Sequence, residues 1–195
     1  MTYDIILSGV GGQGVLSIAA IIAGAAMSEG LKVRQSEVHG MAQRGGAVSA
    51  HLRISDSSIA CDLIASGGAD MILSMEPVES LRYLSFLKPG GVIVTAAEPF
   101  VNIPDYPDIG TILAAIGGFP RSRVVAAAEL ARKAGSARSV NMVIVGAASS
   151  FIPVGQGAME KSIGALFGAK DASVVAVNLA AFAAGKAAAS SGRGA

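Results

Sequence analysis

Glycine spacing near the start of the chain suggests a loop that could bind an anion. The stretch SGVGGQGV, residues 8–15, follows a short apolar run and holds Gly9, Gly11 and Gly14 as Gly-x-Gly-x-x-Gly. In a strand–turn–helix unit these glycines allow a tight turn, a close approach of backbone to ligand and close helix packing. The free N–H groups that start such a helix favour a phosphate or carboxylate. We therefore predict contact with a ligand or partner here, with a ligand-free turn as the simpler alternative.

The residues between and after these glycines extend the chemistry of the loop. Gly12 adds backbone freedom, and Gln13 places an amide that can donate and accept hydrogen bonds in the first helical turn. A nicotinamide site of this kind also needs an acidic residue at the end of the second strand, about 20 residues further on. Glu37 matches that position, so an NAD(P)-dependent dehydrogenase is one hypothesis.

A second polar, glycine-rich loop follows the next predicted strand. Its candidate residues are Ser36, Glu37, His39, Gln43, Arg44, Gly45 and Gly46. If the first two strands are parallel, both loops emerge at the carboxyl edge of the sheet, where open α/β sheets bind ligands. Arg44 could bind an anion through two hydrogen bonds, or form a salt bridge with Glu37 or a partner. His39 could donate a proton, or simply be a satisfied polar group.

The elements that must position these loops can be predicted from apolar patterns. Residues 3–8 and 31–37 are predicted strands around a helix over residues 14–29, which implies a parallel unit with a right-handed crossover. Residues 47–54 alternate with period two, which predicts a strand with one face in the core. Its other face, which includes His51 and Arg53, is expected to meet solvent or a partner.

The rest of the chain completes an α/β pattern. The predicted elements are strands over 69–75 and 90–96, a helix starting after Glu76-Pro77, a weaker strand over 123–129, and helices over 139–152, 156–168 and 171–189. They predict a three-layer, Rossmann-like open sheet, mostly parallel with a mixed portion, and a helical C-terminal part. We expect a single domain over residues 1–189 and a frayed tail over residues 190–195.

Composition limits the classes of partner. The 15 Lys and Arg residues balance 14 Asp and Glu, so the chain has no basic field for nucleic acid. Charged residues make up only 15% and mean hydropathy is +0.57, which suggests that another chain covers much of the surface.

The uncharged runs 5–28 and 139–159 are interrupted by turn residues, so we expect no membrane span, no leader and a cytoplasmic location. Cys61 is the single cysteine, which excludes an internal disulfide and an iron–sulfur cluster ligated by this chain alone.

The two loops together resemble a known family. GVGGQGV (9–15) and SEVHGMAQRGGAVSAHLRI (36–54) are similar to the gamma-type component of 2-oxoacid:ferredoxin oxidoreductases, and SVNMVIVGA (139–147) matches a later helical segment of that family. The resemblance covers nearly the whole chain and is greatest for the small subunits of the indolepyruvate enzymes.

This resemblance implies an oxidative decarboxylation. Enzymes of this kind convert an arylpyruvate, coenzyme A and oxidised ferredoxin into an aryl-acetyl-CoA, carbon dioxide and reduced ferredoxin. It also implies a large alpha subunit that carries thiamine diphosphate with magnesium and 4Fe-4S clusters, because this chain lacks the thiamine motif and the cysteines. The loops would then close the site, exclude water and help to place coenzyme A or the substrate carboxylate.

Several hypotheses remain open from the sequence. The chain is a subunit that is inactive alone, an independent dehydrogenase, or an assembly or nucleotide-sensing module with no role in turnover. No catalytic residue and no metal site is assigned to it. Apolar surface would also permit self-association in isolation, and the preferred arylpyruvate is not encoded in these loops.

Overall fold

The computed structural model describes residues 1–39, 45–101, 103–168 and 171–191. Within these ranges the chain forms a six-stranded sheet in the order β2-β3-β1-β4-β5-β6, with helices on both faces. The strands are β1 (Thr2–Val10), β2 (Lys32–His39), β3 (Ala47–Ser55), β4 (Ala69–Ser74), β5 (Leu87–Ala96) and β6 (Ser122–Val125). The helices are α1 (Val15–Ser28), α2 (Pro77–Arg82), α3 (Ile109–Gly117), α4 (Ala127–Lys133), α5 (Val140–Ala148), α6 (Gln156–Phe167) and α7 (Ala172–Ser191). The predicted fold class is confirmed.

The predicted mixed portion of the sheet is at β3, and the first two strands are parallel as predicted. β1, β4, β5 and β6 are parallel, but β3 lies between β1 and β2 and is antiparallel to both. The chain returns from β2 directly into β3, which pairs along its length with both neighbours, as in Gly9 with Val48 and Val48 with His39. β2 is therefore parallel to β1 without being hydrogen-bonded to it, so the two strands still end at the same edge of the sheet.

β1 is buried on both faces, as a central strand should be. Ile5 and Leu7 belong to the main core, which lies between the sheet and the layer containing α1 and α5. Ile6 points to the opposite face, where it packs with Ile64 and Ile72. This burial explains why residues 3–8 read as a continuous apolar run, and it fixes the position of the loop that follows.

The outward face of β3 is covered, contrary to the expectation for His51 and Arg53. His51 is 9% exposed, and its Nδ1 atom accepts the N–H of Ile64 at 2.9 Å. The Arg53 guanidinium binds the Asp4 carboxylate at 2.9 Å and donates to the Cys61 carbonyl oxygen. These two side chains thus form hydrogen bonds with backbone groups of residues 61–64, a segment that covers the outward face of β3. The alternating pattern of β3 does not predict this cover.

The C-terminal helices confirm the predicted helical segments. β6 ends at Val125 and α4 begins at Ala127, so the strand predicted over 123–129 is correct only in its first part. The start of α4 is capped by Glu98, whose carboxylate accepts the Ala127 and Ala128 N–H groups at 3.1 and 2.9 Å. α7 runs to Ser191, so the first two residues of the predicted tail lie in a helix.

Two glycines let α5 and α7 cross closely. A Cβ atom on Gly146 would lie 1.9 Å from the Phe182 carbonyl oxygen, and one on Gly185 would lie 1.9 Å from the Val143 carbonyl oxygen. Among the described residues, α7 is the one helix whose length and apolar composition would suffice to cross a membrane. In this fold α7 packs against α5 and α6, and core helices of soluble proteins share the same length and composition.

Candidate functional site

The two glycine-containing loops meet at the carboxyl edge of the sheet. Val10, at the end of β1, pairs with Ala47 at the start of β3. Just beyond this pair, the Gly11 N–H donates to the Gly46 carbonyl oxygen at 2.8 Å, and the Gly45 N–H donates to the Gly11 carbonyl oxygen at 3.4 Å. The loops therefore form one continuous rim, although more than thirty residues separate them in the sequence.

Glycine is required at three positions of the first loop. A Cβ atom on Gly9 would lie 2.9 Å from Val15 Cγ2 and 3.0 Å from Met75 Cβ, so a larger residue would collide with the core. Gly12 and Gly14 have φ values of 102° and 84°, which other residues rarely adopt. The backbone thus turns sharply out of β1 and directly into α1.

Gln13 holds this loop in place. Its Oε1 atom accepts the Val10 N–H at 2.7 Å, and its Nε2 atom donates to the Met75 carbonyl oxygen at 3.3 Å. The amide therefore ties the turn to its own strand and to the end of β4. Both of these contacts are with backbone groups of the chain, so Gln13 acts here as a support for the loop.

The open side of the loop is a small concave surface. A cavity of about 280 Å³ is lined by the three glycines Gly11, Gly12 and Gly14 and by the apolar residues Val10, Val15, Leu16 and Val48. The first turn of α1 contains no acidic residue, and Gly14 supplies no side-chain cap. The N–H groups and the positive end of the helix dipole are consequently available to a carboxylate, a phosphate or a partner segment.

The second loop is only partly described. Ser36 and Glu37 lie on β2, an edge strand, and Glu37 is exposed and contacts the Gln35 amide. Because β3 separates Glu37 from β1, the acidic residue does not stand beside the glycine loop as a nicotinamide ribose would require. Gln43 and Arg44 lie outside the described residues, as does the side chain of His39.

Glu76 is a buried acidic residue of this edge that the sequence interpretation missed. It is 1% exposed and directly follows β4, where its Oε2 atom accepts the Glu79 N–H at 2.9 Å and caps α2. Its Oε1 atom accepts the Phe100 N–H at 3.4 Å and the Tyr106 hydroxyl. Burial, followed by the bond to Glu76, raises the pKa of the Tyr106 hydroxyl far above its ordinary value. Glu76-Pro77 signalled a helix start, but nothing local indicated the contact with residues 100–106.

Exposed apolar side chains surround the same edge. They lie in the first turn of α1, at the end of β2 and after β5: Leu16, Val38, Phe100, Val101 and Ile103. Large apolar side chains grouped around a polar concave surface are typical of a protein–protein contact. This placement agrees with the low charge content of the sequence.

Comparison with known proteins identifies the family. The profile described as pyruvate ferredoxin/flavodoxin oxidoreductase matches residues 4–188. The chain is 41% identical over 153 residues to "Indolepyruvate oxidoreductase subunit IorB" of Archaeoglobus fulgidus, which covers 75% of each chain.

Solved structures agree with this assignment. The 2-oxoglutarate:ferredoxin oxidoreductase of Magnetococcus marinus, solved with 2-oxoglutarate, coenzyme A and succinyl-CoA bound, matches with a TM-score of 0.77 at 25% identity. This match covers 97% of the present chain and 31% of that chain. A keto/oxoacid ferredoxin oxidoreductase gamma subunit from Geobacter sulfurreducens matches with a TM-score of 0.72 at 26% identity, covering 97% and 99%. These likenesses do not favour an independent dehydrogenase, and the chain belongs to the pyruvate ferredoxin/flavodoxin oxidoreductase family.

Proposed function

We propose that this chain is the small subunit of an indolepyruvate:ferredoxin oxidoreductase and that its carboxyl edge completes an active site on a large, cytoplasmic partner. The observation that carries this proposal is the pair of hydrogen bonds joining Gly11 to Gly45 and Gly46, which unites the two loops into one rim. The 41% identity to an indolepyruvate oxidoreductase subunit supports the substrate class.

In this proposal the rim binds an anion with a preformed backbone. The first residues of α1 line the concave side of the loop, and Gln13 and the second loop hold the turn before them in position. A carboxylate of the arylpyruvate or a phosphate of coenzyme A fits this donor set. The apolar side chains around the rim would exclude water once the large subunit docks.

The hard chemistry is assigned to the partner. The described residues include no group of three or more His, Cys, Asp or Glu side chains that could hold a metal ion, and Cys61 cannot ligate a cluster alone. Thiamine diphosphate with magnesium would supply the carbanion chemistry, and 4Fe-4S clusters would pass electrons to ferredoxin, all from the large alpha subunit. Within the complex, this chain positions substrate and shields the site.

Reconstitution tests this proposal. The large subunit is assayed with indolepyruvate, coenzyme A and oxidised ferredoxin, with and without the small chain, and phenylpyruvate and hydroxyphenylpyruvate are run in parallel. We expect turnover only when both chains are present, with indolepyruvate preferred. Full turnover by the large subunit alone would reduce this chain to an assembly module. Saturable micromolar binding of NADH to the purified chain would instead revive the dehydrogenase hypothesis.

A further inference from the structure

A second and larger cavity lies on the other side of the α1 N-terminus. Its volume is about 430 Å³, and its walls come from residues 136–139 before α5, from the first turns of α1 and α5, from the first two turns of α7 and from the end of α6. This volume is within the roughly 300–1,000 Å³ range of small-molecule sites. The cavity borders the glycine loop, because Asn141 Nδ2 lies 2.9 Å from where a Cβ atom on Gly14 would stand.

Two buried side chains present unused hydrogen-bonding groups in this cavity. Ser139 is 3% exposed, lines the cavity, and its hydroxyl makes no hydrogen bond with any described residue. Asn178 is 6% exposed and donates through Nδ2 to the Val174 carbonyl oxygen at 2.8 Å, which leaves its Oδ1 atom without a described partner. Since the described part of the chain has no fully enclosed side-chain polar atom without a partner, both groups open into the cavity. These two groups are therefore accessible to a ligand that enters the cavity.

The charge of the cavity favours an anion. Arg138 lines it and forms no ion pair within the described ranges, and none of the described lining residues is acidic. α5 begins at the cavity wall with no acidic residue in its first turn and no cap from the Ser139 side chain, and one of its first N–H groups, that of Met142, already donates to Asn141 Oδ1 at 3.1 Å. The start of α7 contributes less, because Asp171 already accepts the Ser173 N–H at 2.8 Å. Arginine and the start of α5 together form a donor set for a phosphate group.

The opposite wall of the cavity is apolar. Phe167, Val174 and Val177 supply this wall, next to the polar groups of Ser136 and Ser139. A ligand that fills the whole cavity therefore needs a charged phosphate end and a flat or apolar end. Nucleotides have this composition.

We infer that this cavity binds the nucleotide portion of a ligand, with phosphate oxygens at Arg138 and Ser139 and the base against Phe167 and Val177. The nucleotide belongs either to a free nucleoside diphosphate or to coenzyme A, whose adenosine end carries phosphates. The cavity is separate from the concave side of the glycine loop, so a free nucleotide would go beyond the proposed function, whereas coenzyme A would add a second contact to a ligand of the proposed function. The inference holds whether or not that loop faces an active site.

Calorimetric titration of the purified full chain tests the inference. ADP, coenzyme A and adenosine are the probes, and Arg138→Gln, Ser139→Ala and the control Arg132→Gln are the variants. Arg132 is an exposed arginine in the last turn of α4 and is not among the cavity residues. We expect saturable ADP binding that weakens at least tenfold in Arg138→Gln and severalfold in Ser139→Ala, with Arg132→Gln unchanged. Adenosine, which lacks phosphate, should bind at least tenfold more weakly than ADP.

The comparison of the two nucleotides identifies the source. Tenfold tighter binding of coenzyme A than of ADP, with mutual competition, assigns the cavity to coenzyme A, whereas equal or weaker binding assigns it to a free nucleotide. The inference is overturned if neither nucleotide binds at millimolar concentration, or if both cavity variants bind as the wild type does. Circular dichroism and the unfolding midpoint show whether each variant is folded. If Ser139→Ala is unstable, Arg138→Gln decides the outcome, because Arg138 is exposed and its replacement should not affect folding. No turnover is measured, so this result is independent of the reconstitution assay.

Discussion

Gln13 holds the first glycine loop through both ends of its amide group. The sequence suggested an amide that could donate and accept, and the structure shows that the Val10 N–H and the Met75 carbonyl oxygen are its partners. The need for glycine at Gly9 and Gly14 was predictable from spacing. Glu76 was not, because its contacts with Phe100 and Tyr106 join segments that are distant in the sequence.

Replacement of Gln13 should impair the complex. We expect Gln13→Ala to lower kcat/KM for coenzyme A or indolepyruvate by about tenfold to thirtyfold, because two hydrogen bonds that contribute up to about 1 kcal/mol each no longer hold the loop. Gln13→Glu keeps an acceptor for the Val10 N–H but loses the donor to the Met75 carbonyl oxygen. Its kcat/KM should therefore lie between the values of the wild type and of Gln13→Ala. Steady-state kinetics of the reconstituted complex measure this, with Gln156→Ala on the exposed face of α6 as the control. Unchanged kinetics in Gln13→Ala would show that the loop needs no such support.

At the level of elements, local patterns predicted the strands and helices but not every neighbour. β1 and α1 could be predicted from residue type, because both elements are buried and burial requires apolar or small residues within the element itself. The position of β3 between β1 and β2 depends on backbone pairing between strands. The alternation of apolar and polar residues within one strand does not indicate which strands will be its neighbours. The cover over His51 likewise comes from a segment without regular structure.

The crossing of α5 and α7 should depend on Gly185. In Gly185→Ala the new methyl group would collide with the Val143 carbonyl oxygen, so we expect a loss of about 3 kcal/mol or more in the free energy of unfolding. Gly164→Ala in α6 is a matched control, because nothing lies within 4 Å of its added Cβ atom. That control should be neutral or gain up to about 1 kcal/mol. Chemical denaturation gives both values, and equal stability of the two variants would contradict this close packing.

His51 should make stability depend on pH. Burial, and then the charge of Arg53, lowers the pKa of His51, so the folded chain favours the neutral ring that accepts the Ile64 N–H. The stabilisation is complete above the unfolded pKa of about 6.5 and is lost as pH falls toward the lower folded pKa. The stability advantage of wild type over His51→Gln should therefore shrink between pH 7.5 and pH 5. Denaturation at both pH values measures it, and an advantage that grows on acidification would refute the assignment.

At the scale of the whole molecule, the low charge content is explained by where apolar side chains lie. Leu16, Val38, Val101 and their neighbours border the edge that contains both glycine loops. Composition predicts that a partner covers part of the surface, and the fold gathers these exposed apolar side chains at one edge where such a partner could bind. The sequence resemblance implies that this partner is a large alpha subunit.

Charge introduced at this edge should weaken the complex. Val101 is 68% exposed, so Val101→Asp should leave the isolated chain folded and reduce affinity for the large subunit at least tenfold, since it places a charge in an apolar contact. Leu63 is 55% exposed and follows the opposite end of β3, which makes Leu63→Asp a suitable control. Surface plasmon resonance gives both affinities. Equal weakening by both variants would move the contact away from the carboxyl edge.

Hydrogen–deuterium exchange of the small chain, free and bound to the large subunit, tests the central claim most directly. If the joined glycine loops face the partner, backbone amides in residues 9–15 and 45–48 should exchange more slowly in the complex, while those in residues 56–68 should not change. Protection of residues 56–68 with unaltered exchange in both loops would contradict the account.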